Sequence, residues 1–457
     1  MTTPMPDLTA QLDAAIARAL PQTLADLRDL VAIPSVSAKG QHMEEAAAHV
    51  SALLAAEGFH TRIMPTKGFP VVFAEAAGAS ERAILLYNHY DVQPEDPIEL
   101  WTTPPFEATE REGRIYGRGV SDDKGQLISR IAALRAVREV LGHLPCRVKV
   151  MVEGEEEIGS PNVERFVEEH RDLLAADGCV WEFGGVDHEG RPVIYLGLRG
   201  LLYVELRVRT LKQDAHSGNA HNIPNAAWRL LRALATIKDE HEHVLIPGFY
   251  DALQPPTEVE RKLLEELPSE EETTRQNFGV REFVGGHTGM AYKEAVYSPT
   301  ANIAGIGAGW QGPGSKTVIP AEAMAKMDFR LLPNQDPDAI FESLRTHLDA
   351  HGFSDVELTK LSAERAGVTP PDDPFVRLTA RLAAETFGKP AIIDPMVGGT
   401  GPVWPFRHFL RTPVVTIGAG DPLTKAHAPD ESIAVELIEL ATRHMARLLV
   451  AYAAGEG

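Results

Sequence analysis

The sequence predicts an α/β protein: a mostly parallel sheet wrapped by helices, into which a second domain of split-βαβ (ferredoxin-like) order is inserted. Three observations carry this prediction. Between residues 43 and 182 short apolar runs alternate with amphipathic helical stretches, the pattern of parallel strands joined by crossover helices. Between 201 and 361 the order changes to β-α-β-β-α-β. At 457 residues the chain is also longer than one hydrophobic core sustains, so at least two domains are required.

Composition narrows the possible partners. With 44 Lys and Arg against 65 Asp and Glu, the formal charge of −21 repels phosphate backbones and anionic lipid, which argues against nucleic acid and against a membrane surface. Cys146 and Cys179 are too few to staple a chain of this length and fit free thiols in a reducing compartment, the cytoplasm. There is no 18-residue apolar run, and Asp7 and Asp13 precede the first Arg, unlike a secretory or transit peptide. The chain reads as soluble and untargeted.

Taken in order, residues 8–30 carry apolar side chains at Leu12, Ile16, Leu20, Leu24, Leu27 and Leu30, and Pro21 predicts a break into two short helices. Residues 43–57 form a second amphipathic helix closed by Gly58. Strands follow at 69–76 and 83–87, the latter running into Asn88-His89-Tyr90-Asp91. Side chains two apart on an extended segment share a face, so Asp91 can hold whichever ring nitrogen His89 does not offer elsewhere. A proline-rich loop at 94–106 leads to Gly-Arg-Gly-Val-Ser-Asp-Asp-Lys-Gly at 117–125, where Gly117 and Gly119 relieve the steric limit on φ and hold Asp122 or Asp123 at a fixed angle.

The helix at 125–142 places these acids at a helix mouth, where capping is the ordinary use of Asp. Their company sets them apart. A strand at 147–152 ends in Glu153-Gly154-Glu155-Glu156-Glu157, a strand at 178–181 delivers Glu182, and His427 follows an apolar strand at 412–418. Glutamate runs are usually solvated patches, but these lie beyond strand ends, where open α/β sheets gather their ligands. With His89 and Asp91 they make a list fit for two metal ions.

The middle of the chain reads as strand 201–209, helix 224–234, strands 300–307 and 322–332, helix 336–348 and strand 356–361. A charged insertion at 248–299 has weak periodicity and no assigned role, and its His287 reads as structural. A helix at 375–387, the 412–418 strand and a helix at 432–451 return to the first domain. The expected boundaries are therefore 1–198, 199–365 and 366–457, with the first and last segments forming one discontinuous domain.

Asn-His-Tyr-Asp-Val at 88–92, the 117–125 turn and Glu-Gly-Glu-Glu-Glu-Ile-Gly-Ser at 153–160 are followed by Asp-Ala-His-Ser-Gly at 214–218 and Ser-Lys-Thr-Val-Ile-Pro at 315–320. Asp-Phe-Arg at 328–330, Gly-Gly-Thr-Gly-Pro at 398–402 and Ala-His-Ala-Pro-Asp-Glu at 426–431 complete the series. In this order, over nearly the whole chain, they resemble the dinuclear-metal M20 metallopeptidases, which include carnosine-type dipeptidases, glutamate carboxypeptidases and N-acyl-amino-acid deacylases. The resemblance implies that His89, Asp122 and Glu182 hold one metal and Asp122, Glu157 and His427 the other, with Asp122 bridging; spacing alone chooses neither Asp122 over Asp123 nor one glutamate of the three. It implies Glu156 as general base, with Asp91 steering His89, and a cis peptide bond between Asp122 and Asp123.

For the inserted domain the resemblance implies a lid whose His216 is a transition-state donor, in larger members of the family reaching the neighbouring subunit's site, hence a homodimer through the lid. Thr317, Arg330, Gly399 and Thr400 would bind substrate, Arg330 clamping a carboxylate with its planar fork. Two histidines and three carboxylates suit two zinc ions, with manganese or cobalt as alternatives. The expected reaction is hydrolysis of a peptide bond next to a free carboxylate, in dipeptides first. N-acyl-amino-acid deacylation is the alternative, because some dipeptidases of the family carry Asp where this chain has Glu182. A silent metal-binding or interaction protein would lack the base or a ligand, and a two-metal phosphoesterase would show a Gly-Lys phosphate loop.

Overall fold

The computed structural model describes residues Met5–Glu456, with side chains from Leu8 onward, so the charge reading at Asp7 lies outside the described side chains. The chain divides into two compact units. The first takes the chain up to Leu196, Val368–Pro395 and everything from Pro402; the second takes Gly197–Gly367 together with Met396–Gly401.

The first unit is built on a nine-stranded sheet. Its strands in chain order are β1 (His60–Met64), β2 (Val71–Ala76), β3 (Ser80–His89), β4 (Cys146–Glu153), β5 (Gly178–Trp181), β6 (Gly185–Val186), β7 (Pro192–Tyr195), β8 (Ile392–Asp394) and β9 (Val414–Thr416). Across the sheet the order is β1-β2-β4-β3-β5-β9-β7-β8, with β6 paired to β7. The central ribbon of β4, β3, β5 and β9 is parallel throughout, while β1 and β2 add antiparallel pairs at one edge. The strand residues Val72, Ala74, Ile84, Leu86, Val148, Val150, Val180 and Val415 all belong to one apolar core. Of helices α1 (Met5–Val31), α2 (Met43–Ala56) and α3 (Lys124–Leu141), α2 and α3 pack on the sheet together with the last helix, Val435–Ala453, and α1 packs on α3 and that last helix.

Helix α1 is continuous through Pro21, so the expected break does not occur. An interior proline costs about 3 kcal/mol. Against that, Leu12, Ile16, Leu24, Leu27 and Leu30 all lie in the core, and a fully buried leucine or isoleucine contributes about 1.5–3 kcal/mol. Breaking the helix would take one half of that stripe out of register, whereas the ring of Pro21 itself faces solvent.

The second unit is a four-stranded antiparallel sheet in the order Thr300–Ala308, Glu322–Leu331, Gly200–Arg209, Glu357–Glu364. Helices Ala226–Leu234 and Pro337–Ala350 pack on it, giving the split-βαβ arrangement. Strict alternation buries Leu202, Val204, Leu206 and Val208 on one strand and Ala323, Ala325, Met327 and Phe329 on its neighbour. Asn225 and Asp336 start the two helices by accepting backbone amides with their side chains. The insertion, of weak periodicity in sequence, holds helices Glu258–Glu266, Glu271–Phe278 and Met290–Glu294. The first of these is fixed by a capping box between Thr257 and Glu260 rather than by a long apolar stripe. Among the described residues, no helix is long and apolar enough to cross a membrane.

Candidate metal centre

The carboxyl ends of β3, β4 and β5 converge, and each delivers a polar side chain. His89 closes β3 and is fully buried. Its Nδ1 lies 3.0 Å from the Asp91 carbonyl oxygen and 3.3 Å from Asp91 Oδ1, both acceptors, so Nδ1 carries the hydrogen. Nε2 faces Asp122 Oδ1 at 3.0 Å and Glu182 Oε2 at 3.7 Å.

Asp122 meets a histidine with each oxygen: Oδ1 faces His89 Nε2 and Oδ2 lies 3.0 Å from His427 Nε2. The second histidine also reaches Glu157 Oε2 at 3.1 Å, an oxygen that Gln93 Nε2 approaches at 2.9 Å. Behind this row, the Asp91 carboxylate accepts the amides of Glu156 (3.2 Å, Oδ1) and Glu157 (3.0 Å, Oδ2), so one buried acid orients both His89 and the glutamate turn. The Glu156 carboxylate itself accepts no hydrogen bond among the described residues.

The peptide bond between Asp122 and Asp123 is cis, and the two acids diverge. Asp123 stands at the N-cap position of α3, but its side chain makes no capping bond. Its Oδ2 accepts Asn88 Nδ2 at 2.6 Å and the His89 amide at 3.1 Å, while the Arg130 guanidinium binds Asn88 Oδ1 (2.7 Å) and the Trp181 carbonyl (2.7 Å), tying the ends of β3 and β5 together. In the turn that carries the acids only Gly119 has the left-handed φ, +83°, that the sequence reading assigned to Gly117 as well. Gly117 serves close packing instead, since a Cβ there would sit 3.1 Å from the Pro105 carbonyl oxygen, a tight contact.

The charges of this cluster do not balance by themselves. Burial opposes a proton on His89, but the carboxylates of Glu182, Asp122 and Asp91 outweigh it and raise the ring well above its ordinary value. Hydrogen bonds to Asp122 and Glu157 push His427 up to about 10. Burial, reinforced by Asp122, Glu157 and Asp91, drives Glu156 well above the usual carboxylate range, and burial with Glu156 alongside does the same to Glu182. Carboxylates this close ionise together only when positive charge, from protonated histidines or a bound cation, sits among them.

Two sets of side chains lie within ligating reach of one another: His89, Asp122 and Glu157, and His89, Asp123 and Glu182. Glu182 Oε2 and Asp123 Oδ1 are buried without a hydrogen-bond partner. Tetrahedral ligands about 2.0–2.1 Å from zinc stand roughly 3.3 Å apart. The Asp122–His89, Asp122–His427 and Glu157–His427 separations of 3.0–3.1 Å are close to that spacing, so the residues fit divalent ions.

The second unit gathers the other candidates. Ala215–His216 pairs with Val318–Ile319, and the Ser217 amide donates to the Thr317 carbonyl at 3.1 Å, so His216 and Thr317 are neighbours. The Gly218 amide donates to His216 Nδ1 at 2.9 Å, which puts the hydrogen of the neutral ring on Nε2 as an exposed donor. Arg330 Nη1 donates to Thr400 Oγ1 at 2.6 Å, and the Arg199 amide to the Gly399 carbonyl at 2.9 Å. Those bonds attach the Met396–Gly401 loop to this unit, whereas sequence order places it in 366–457. Sequence reasoning gave no role to Asn88, Arg130 or Glu431 and weighed Asp123 only as an alternative to Asp122; Asn88 and Glu431 lie inside the quoted motif blocks, whereas Arg130 lies outside them, on α3.

Known proteins are similar to this chain over most of its length. A Beta-Ala-His dipeptidase of Rattus norvegicus is 31% identical over 293 residues, 62% of this chain and 58% of that protein. The chain thus spans less than two thirds of the length of the curated Beta-Ala-His dipeptidases it matches, 58% of the rat protein and 56% of the human one. A Cys-Gly metallodipeptidase of Saccharomyces cerevisiae is 27% identical over 471 residues, 94% of this chain and 95% of that protein. The crystal structure of an M20 family metallo-carboxypeptidase from Sulfolobus solfataricus superposes with a TM-score of 0.90 at 37% identity, covering 94% of this chain and 99% of that one. The family model described as Peptidase family M20/M25/M40 matches residues 85–451, from the strand that delivers His89 into the last helix, and the chain belongs to that family.

Proposed function

We propose that this protein is a metal-dependent dipeptidase, hydrolysing the peptide bond next to a free carboxylate. The observation that carries the reading is Asp122, whose two oxygens each lie 3.0 Å from a different histidine nitrogen. His89, Asp122 and Glu182 would hold one ion, and Asp122, Glu157 and His427 the other. Zinc is the preferred metal for these donors, with manganese or cobalt able to replace it. Such ions would supply Lewis-acid chemistry, lowering the pKa of a water and polarising a carbonyl.

The chain's own residues do the rest. Asp91 holds the Nδ1–H of His89, leaving Nε2 free to ligate. Glu156 takes the proton from the attacking water and passes it to the leaving amine, and its unengaged carboxylate supports that role. His216 offers Nε2–H to the carbonyl oxygen, while Thr317, Arg330, Gly399 and Thr400 bind the substrate, the guanidinium matching a carboxylate. The names of the relatives favour Cys-Gly and β-Ala-His type dipeptides over N-acyl amino acids. A homodimer through the second unit and a cytoplasmic location belong to the same proposal; two buried free cysteines support a reducing compartment.

The test is a panel of dipeptides and N-acyl amino acids offered to chelated protein reloaded with one metal at a time. Hydrolysis of dipeptides with an unblocked carboxylate is expected. Turnover of N-acyl amino acids alone would assign the chain to the deacylase branch, and no amide hydrolysis with any ion would sink the reading.

A further inference from the structure

Glu431 closes the 426–431 block, yet neither the proposed ligands nor the proposed substrate-binding residues include it. The side chain is fully buried, beside an Arg118 that is 1% exposed. A carboxylate so placed is costly unless its lone pairs are engaged, and here they all are. Oε1 accepts the amides of Ser121 (3.0 Å) and Asp122 (3.1 Å). Oε2 accepts the Gly119 amide (3.0 Å) and Arg118 Nη1 (2.7 Å), and the Glu431 carbonyl accepts the Gly117 amide at 3.0 Å.

Every one of these donors belongs to the turn that presents Asp122. The acceptor lies four residues after His427. An ion pair serving stability alone would need only the oxygen facing Arg118; the other oxygen is given wholly to the backbone of Ser121 and Asp122. From this geometry we infer that Glu431 is a positioning residue: it clamps the turn bearing Asp122 to the segment bearing His427, and so sets the spacing at which those two side chains share an ion. The inference rests on the two-ion reading above.

The experiment is cobalt titration of the chelated full-length protein, followed by visible absorption, alongside kcat and KM for dipeptide hydrolysis. In Glu431→Gln the amide nitrogen turns a donor toward donors, so two of the four side-chain bonds are lost. With near-UV circular dichroism unchanged, this variant is expected to take its first ion as the wild type does, to bind the second about 10- to 100-fold more weakly, and to lose kcat with KM little changed. Glu431→Asp keeps the charge opposite Arg118 and so preserves the fold if the Gln variant does not, but withdraws the carboxylate from the turn; the same selective loss is expected. Binding of both ions with wild-type affinity and spectrum in either folded variant, or an equal weakening of both ions, overturns the inference. A wild-type protein that fails to take two ions would instead sink the two-ion reading.

Discussion

Asp122 and His427 are 305 positions apart in the chain, yet Asp122 Oδ2 lies 3.0 Å from His427 Nε2. The other oxygen of the same carboxylate is held at 3.0 Å from His89, so the two histidines address one acid from opposite sides. Replacing His427 by alanine should therefore remove one ligand group and leave the other intact. Metal analysis is expected to find one ion per chain and severely reduced hydrolysis. Two tightly held ions in His427→Ala would remove His427 from the centre.

The base can be separated from the ligands. Among the described residues Glu156 makes no hydrogen bond through its carboxylate, so Glu156→Gln should fold and hold metal normally. Loss of a general base typically costs about 10²- to 10⁴-fold in rate. A variant with full metal content and wild-type turnover would show that another group accepts the proton.

Asp91 acts through its neighbours, receiving the amides of Glu156 and Glu157 and facing the ring of His89. In Asp91→Asn an NH2 group replaces one acceptor opposite an amide hydrogen. Metal affinity should drop about 10- to 100-fold, the usual effect of removing a group that orients a ligand. Chelator competition reads this directly, and unchanged affinity would assign Asp91 to packing alone.

Without metal, the cluster should make stability depend on pH. His427 is raised to about 10 by Asp122 and Glu157, against about 6.5 in an unfolded chain. A group raised on folding stabilises fully below its unfolded pKa, and that contribution is lost as pH climbs through the folded value. Burial raises Glu156, Glu157 and Glu182 too, which acts in the same direction, whereas Asp122 is lowered by its histidines and matters only in acid. The melting temperature of chelated protein should thus fall steadily from about pH 6.5 to 10, and metal should flatten the slope by taking the protons' place. A flat profile for chelated protein would contradict this.

The sequence made most of the centre legible because three of its parts stand at strand ends, where a short apolar run stops at a polar residue: His89 after β3, the glutamates after β4, Glu182 after β5. Short or exposed strands left no such mark. β7 and β8 are four and three residues long, and β1 has no buried side chain on either face, so none of them shows a pattern. Pro21 misled because a local rule was overridden by the leucine stripe around it. The divergence of Asp122 from Asp123 depends on Asn88 and the His89 amide, partners that no local spacing discloses. Glu431 was invisible for a similar reason: its partners are backbone amides, which carry no residue identity.

The order of the strands has a consequence for biosynthesis. β9, from residues 414–416, lies between β5 and β7 in the middle of the sheet, and His427 and Glu431 follow it. A ribosome releases the chain from its N-terminus, and domains usually fold as their sequence emerges. Here every strand and helix of the second unit's sheet is released before β8 and β9, while the first unit's sheet waits with a gap between β5 and β7. Neither the complete sheet nor the pairing of Asp122 with His427 can exist until nearly the whole chain has been made. A truncated or stalled product would carry most of the acids and none of the final geometry, so any hydrolytic competence would be withheld from unfinished chains.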